Sequence, residues 1–142
     1  MAPINAMPLS ESVSVAGQIS PADLQAIAEA GFKSIVCNRP DGESPGQFSS
    51  QDIATAARLA GLTMAYLPVV TGRVSPQDGR EFGDLLNQLP GPVLAYCRSG
   101  MRSATLWALS QAGSRPWPEL VRCAAQAGFN LSGVAPPATA SL

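Results

Sequence analysis

The 142-residue chain contains no histidine. That excludes a Ser-His-Asp triad and the usual histidine-bearing zinc sites, so any nucleophile must be activated by its electrostatic surroundings. No metal site and no cofactor are expected. Cysteine is scarce. Cys37, Cys97 and Cys123 leave one thiol unpaired however they are combined, and no Cys-x-x-Cys occurs, which argues against a disulfide framework. Charged residues make up only 13 % of the chain and the net charge is −1. With no basic run and no aromatics between basic residues, nucleic acid is not an expected partner. No apolar stretch reaches the roughly 18 residues of a membrane span, so a membrane is not expected either. Met1 to Pro8 lack the basic start and apolar block of a secretory leader, and the expected location is cytoplasmic. What is plentiful is apolar surface, 46 % of residues, enough for one domain with a real core.

Helix starts are legible along the chain. Ser20-Pro21-Ala22-Asp23 and Ser75-Pro76-Gln77-Asp78 each offer a capping serine, proline at the first helical position and aspartate in the first turn. Ser50-Gln51-Asp52 does the same without proline. Apolar stripes follow at helical spacing: Leu24, Ile27 and Ala28, then Ile53, Ala56, Ala57 and Ala60, then Phe82, Leu85, Leu86 and Leu89. Between them lie short apolar runs at Val13–Val15, Ser34–Cys37, Leu62–Leu67 and Val93–Tyr96. After Arg115-Pro116-Trp117-Pro118 a last helix is expected from about Pro118 to Ala127. Strands alternating with helices predict a single α/β domain, a mostly parallel central sheet with helices on both faces. Residues 12–129 are expected to form it. Residues 1–11 and 130–142, without periodicity, are expected to be mobile.

The most informative segment is Ala95-Tyr96-Cys97-Arg98-Ser99-Gly100-Met101-Arg102-Ser103, where the fourth apolar run hands over to a helix. In a parallel sheet, ligands bind beyond the C-terminal strand ends, which is where Cys97 falls. A cysteine at a helix N-terminus lies under backbone N–H groups that favour anions, and the same field, with Arg98 and Arg102 nearby, favours the thiolate. Gly100 lets the backbone curl so that successive amides point inward. The segment predicts a nucleophile, Cys97, and an oxyanion holder, Arg102, inside an anion-binding loop that includes Arg98, Ser99, Gly100, Met101 and Ser103.

Cys97 to Arg102, a cysteine and an arginine separated by four residues, resembles the active-site loop of the rhodanese sulfurtransferases. Cys97, Gly100, Arg102 and Ser103 also resemble the cysteine-dependent protein tyrosine phosphatases, whose loop is one residue longer. Val13 to Ser20 and Gly31 to Glu43 are similar to the opening of a bacterial phosphatase-like family that also forms the N-terminal domain of beta-lactamase-hydrolase-like proteins. Its members are often described as sulfur transferases. The resemblance spans about residues 12–129 and implies a cysteine-phosphatase-like fold.

Sulfur transfer and phosphate-ester hydrolysis would use the same nucleophile and differ in the leaving group. An alkoxide or phenolate benefits from a general acid. The phosphatases supply an aspartate from a loop ahead of the cysteine, whereas the corresponding Met64-Ala65-Tyr66-Leu67-Pro68-Val69-Val70 has no carboxylate. Asp78, the nearest candidate, belongs to a helix-start pattern, and Tyr96 stands where those enzymes commonly have histidine. The expected function is therefore sulfur transfer through a Cys97 persulfide, from thiosulfate or a low-molecular-weight persulfide to a thiol acceptor. The alternatives are phosphate-ester hydrolysis at Cys97 and a non-catalytic anion-binding module. Arg39, just past a strand end, is a candidate contact for the anionic substrate, and Cys37 a candidate resolving thiol. Asp41 and Glu43, flanking Gly42, read as a turn.

Overall fold

Val13–Ala16 (β2), Ser34–Cys37 (β3), Thr63–Tyr66 (β4) and Val93–Tyr96 (β5) pair in parallel, and Met7–Pro8 (β1) adds an antiparallel edge. The computed structural model describes residues 5–137. The sheet order is β1-β2-β5-β3-β4, so β5 lies between β2 and β3, with Val93 opposite both Val13 and Ser34. Covered on both faces, β2, β3 and β5 are buried at every position, which is why they read as continuous rather than alternating runs. β4, at the edge, is half-exposed.

Helices Leu24–Glu29 (α1) and Ser50–Leu59 (α2) cover one face, where Ile27, Ile53 and Ala57 pack with Ile35, Leu94 and Tyr96. The other face is covered by Pro76–Gln88 (α3), Met101–Gln111 (α4) and Trp117–Gln126 (α5), which bring Phe82, Leu106, Trp107 and Leu120 onto Val15, Val36 and Ala95. The architecture is the expected one, a mostly parallel sheet with helices on both faces. α4 is buried from Arg102 through Leu109, enclosed by sheet and helices.

The caps locate the helices. Ser75 Oγ accepts from the Asp78 N–H at 3.2 Å while the Asp78 carboxylate accepts from the Ser75 N–H at 2.9 Å. At α2 the capping residue is Ser49 rather than Ser50, its hydroxyl accepting from Asp52. Such a cap contributes about 1 kcal/mol. One expectation is revised at the N-terminus. Residues 7–8 form β1 instead of lying in a mobile segment, because Leu9, only 6 % exposed, anchors the turn into β2. At the other end Phe129 and Leu131 are buried and Val134 packs against the core. Residues 1–4 and 138–142, also expected to be mobile, lie outside the described residues. Among the described residues no helix is long and apolar enough to cross a membrane.

α3 and α4 approach closely because α3 carries glycines at 79 and 83. A β-carbon on Gly79 would stand 2.5 Å from Leu109 Cβ, whereas one on Gly83 would make an ordinary 3.4 Å contact with Ser110. Alanine gains about 1 kcal/mol of helix propensity at either place. At position 79 overpacking costs about 1–3 kcal/mol and outweighs that gain. Thermal unfolding followed by circular dichroism should give a lower Tm for Gly79→Ala and an unchanged or higher one for Gly83→Ala.

Candidate active site

β5 ends at Tyr96 and the chain turns beneath the N-terminus of α4. Cys97, 1 % exposed, is tied to β2 through its N–H on the Ala16 carbonyl. Gly100, with φ of 96°, is the N-cap of α4, and that left-handed turn lays its N–H on Cys97 Sγ at 3.2 Å. A side chain here would be strained and crowded as well, since a β-carbon would come within 2.8 Å of the Phe129 ring. Met101 donates its N–H to Ser99 Oγ at 3.3 Å. Among the described residues the N–H groups of Arg98, Ser99, Arg102 and Ser103 have no partner. Free amides at a helix N-terminus favour an anion there.

Arg102 is clamped in place. Its Nη1 and Nη2 donate to the two carboxylate oxygens of Glu43 at 2.7 and 2.9 Å, and Nη1 also donates to the Val69 carbonyl at 2.8 Å. These bonds leave Nε–H and one Nη2–H, the edge that matches two oxygens of a tetrahedral anion. The Glu43 ion pair holds the guanidinium firmly protonated and, conversely, holds the Glu43 carboxyl below the usual carboxylate range, Arg102 being the principal cause and Arg39 the lesser. Cys97 is a lesser cause of the same upward shift on Arg102.

Arg39 has a different task from the expected one. It is 5 % exposed and donates Nε to Glu43, Nη1 to Gln18 Oε1 and Nη2 to Ser44 Oγ, each at 3.0 Å. Those partners make it a brace for Glu43. Ser103, expected in the anion loop, turns its hydroxyl to Asn38 Oδ1 at 2.8 Å, and Asn38 Nδ2 continues to the Leu67 carbonyl at 2.9 Å. This buried chain of bonds ties α4 to the ends of β3 and β4. Arg98 and Ser99 are exposed at the rim, and Met101 is half-buried.

Cys37 is buried on the α1–α2 face beside Tyr96 and donates its thiol to the Arg39 carbonyl at 3.3 Å. Burial pushes this thiol up from its ordinary range, which disfavours the reactive thiolate a resolving cysteine would need. Tyr96, paired with Cys37 in the strand register, has a buried hydroxyl with no hydrogen-bond partner among the described residues, and burial holds it un-ionised. All three cysteines are free thiols.

No carboxylate stands ready as a general acid in the segment from Leu67 to Ser75. Asp78 is spent on its cap. Asp41 accepts from the N–H and hydroxyl of Ser50 at 2.7 and 2.9 Å and so anchors the start of α2. Glu43 was not singled out by the sequence as a functional residue. The signal that finds it is a charge account: two arginines close to a buried thiol require a carboxylate, and the segment after β3 carries one.

Residues 6–114 match the family described as "Beta-lactamase hydrolase-like protein, phosphatase-like domain". A beta-lactamase hydrolase-like protein of Agrobacterium fabrum is 37 % identical over 109 residues, covering 77 % of this chain and 25 % of that protein. The chain thus spans about a quarter of the length of the curated relatives it matches. A crystal structure of a phosphatase candidate from Neisseria meningitidis superposes with a TM-score of 0.84 at 35 % identity, covering 92 % of this chain and 94 % of that one. Tk-PTP in its active form shares the fold, with a TM-score of 0.72 at 18 % identity over 99 % of this chain and 93 % of that one. The matched family and the Neisseria structure favour the phosphatase alternative over the sulfur-transfer reading of the sequence. Fold, loop and the matched residues 6–114 agree: the chain belongs to the phosphatase-like domain family of the beta-lactamase hydrolase-like proteins.

Proposed function

We propose that the domain hydrolyses phosphate monoesters whose leaving group departs as a stable anion, by way of a phosphocysteine on Cys97. Cys97 Sγ attacks phosphorus, the ester P–O bond breaks, and the phenolate leaves with its electron pair. Water then attacks phosphorus, releasing phosphate and the thiolate. The observation that carries this reading is the free Nε/Nη2 edge of Arg102, set by Glu43 and Val69 beside the unpartnered loop amides. Donors so fixed stabilise the equatorial oxygens without reorganising during the reaction. A polyanionic substrate is disfavoured, since Arg39 is spent on protein partners and Arg98 is the remaining arginine of the loop.

Sulfur transfer is a second reading, favoured by one observation: four residues between Cys97 and Arg102, with no carboxylate on the preceding loop, suit a leaving group that needs no proton. There the thiolate attacks the outer sulfur of thiosulfate, the S–S bond breaks, sulfite leaves, and Cys97 carries S–S⁻. One experiment separates the two. Rapid mixing with 4-nitrophenyl phosphate should give a burst of nitrophenolate stoichiometric with protein and absent from Cys97→Ser. No burst, together with a persulfide on Cys97 by mass spectrometry after thiosulfate or glutathione persulfide, would transfer the assignment to sulfur.

A further inference from the structure

A groove of about 610 Å³ opens beside the first turn of α4. Its wall runs along α4 through Met101, Thr105 and Leu109, faces Val74 across the β4–α3 connection, and is closed by Val134 and Pro136 from the segment after α5. From Met101 to Leu109 the helix advances about 12 Å. The Thr105 hydroxyl is spent on the Met101 carbonyl at 2.8 Å, which leaves its methyl group for the groove. Among the described residues that line it, Arg102 is the one with a charge, and it stands at the end shared with the Cys97 loop. A single cation at one end of an apolar trough is complementary to one kind of small molecule, an anionic head on an elongated apolar body.

We propose that this groove is the leaving-group subsite. It takes an aryl ester carrying an apolar extension, with its anionic head on the loop amides and Arg102 and its apolar body along α4. The proposal rests on the phosphatase reading for the identity of the head, while the groove itself can be probed without that chemistry. The subsite would also aid catalysis, because contacts with the part of the substrate remote from phosphorus fix its orientation toward Cys97 Sγ.

Two probe series test it on the full chain. The first is 4-alkylbenzenesulfonates of increasing chain length, kept below their micellar range and titrated calorimetrically. Affinity should rise about fourfold per methylene, from roughly 0.8 kcal/mol per buried CH₂, and level off once the probe fills the groove. Val134→Asp, on the half-buried wall, and Pro136→Glu, on the exposed rim, should each flatten that rise. The second series is 4-alkylphenyl phosphates, whose KM should fall in parallel. A flat sulfonate series, or a rise that persists undiminished in both variants, overturns the groove assignment. A chain-length dependence of sulfonate binding without hydrolysis of any aryl phosphate would leave the groove standing and remove the phosphatase reading. Hydrolysis indifferent to the extension would do the reverse.

Discussion

4-Nitrophenyl phosphate should be turned over about 10²–10⁴ times faster than an alkyl phosphate of similar size, beyond the difference in intrinsic reactivity, because a general acid typically supplies that margin. The reason is structural. The Leu67–Ser75 segment has no carboxylate, Asp78 is held in the cap of α3, and Asp41 is held by Ser50. Nothing in that set is placed to give a proton to the departing oxygen, so the charge developing there must be borne by the leaving group itself. A plot of log kcat/KM against leaving-group pKa should be steep and linear through the aryl series, and phosphoserine should be close to inert. A shallow plot, with alkyl esters processed nearly as fast as aryl ones, would show that an acid operates. Asp78→Asn would then be the first variant to make, since Asp78 is the first carboxylate after that segment.

Replacing Glu43 by glutamine should have the largest effect on the fold. Glu43 is the shared partner of two arginines whose side chains are only 6 % and 8 % exposed, and a neutral amide leaves both guanidinium charges uncompensated. Removing one member of a buried pair costs about 3–5 kcal/mol, and the low end applies because Glu43 itself is 26 % exposed. For about 3 kcal/mol the midpoint of thermal unfolding should fall by roughly 6–12 °C. Activity should fall more than stability accounts for. With Arg102 no longer fixed, kcat should drop by about 10² while KM changes less, the pattern expected when a donor aimed at the transition state is lost. The pH profile gives an independent check. The Glu43 carboxyl is depressed in the folded protein by Arg102 first and then Arg39, so its contribution to stability is fully present above its ordinary titration range. That contribution is lost as the pH falls through the lower, folded-state value. Native protein should therefore lose stability steeply on acidification below about pH 4.5, and Glu43→Gln should lack that component. Equal acid sensitivity in both proteins would mean that the clamp does not stabilise the fold.

The helices and parallel strands were legible because each carries its own local signal. Ser75 and Asp78 sit at capping distance in sequence, and the runs at Ser34–Cys37 and Val93–Tyr96 are apolar throughout because both faces of the sheet are covered. The turn after β5 was legible for the same reason: Cys97, the glycine cap Gly100 and Arg102 lie within six residues. β1 left no such trace, since two residues pairing at an edge have no period to show. The clamp was hidden by distance. Glu43 and Arg102 stand 59 positions apart, and nothing local distinguishes a glutamate that turns toward α4 from one that points into water. Arg39 misled in the same way. Its position past a strand end brought it to the correct side of the sheet, while its partner depended on how the next loop folded.

The place of β5 in the sheet has a consequence for how the chain is made. It is the last strand to be synthesised, yet it fills the gap between β2 and β3, so while the chain grows these two have no common neighbour to join them. Until residue 96 is available the sheet is two separate pieces with exposed inner edges, the kind of surface that nascent chains must shield. The strand that closes the gap is the one that delivers Cys97 at its end. Closure of the sheet and the seating of Cys97 beside β2 are thereby linked in the life of the polypeptide.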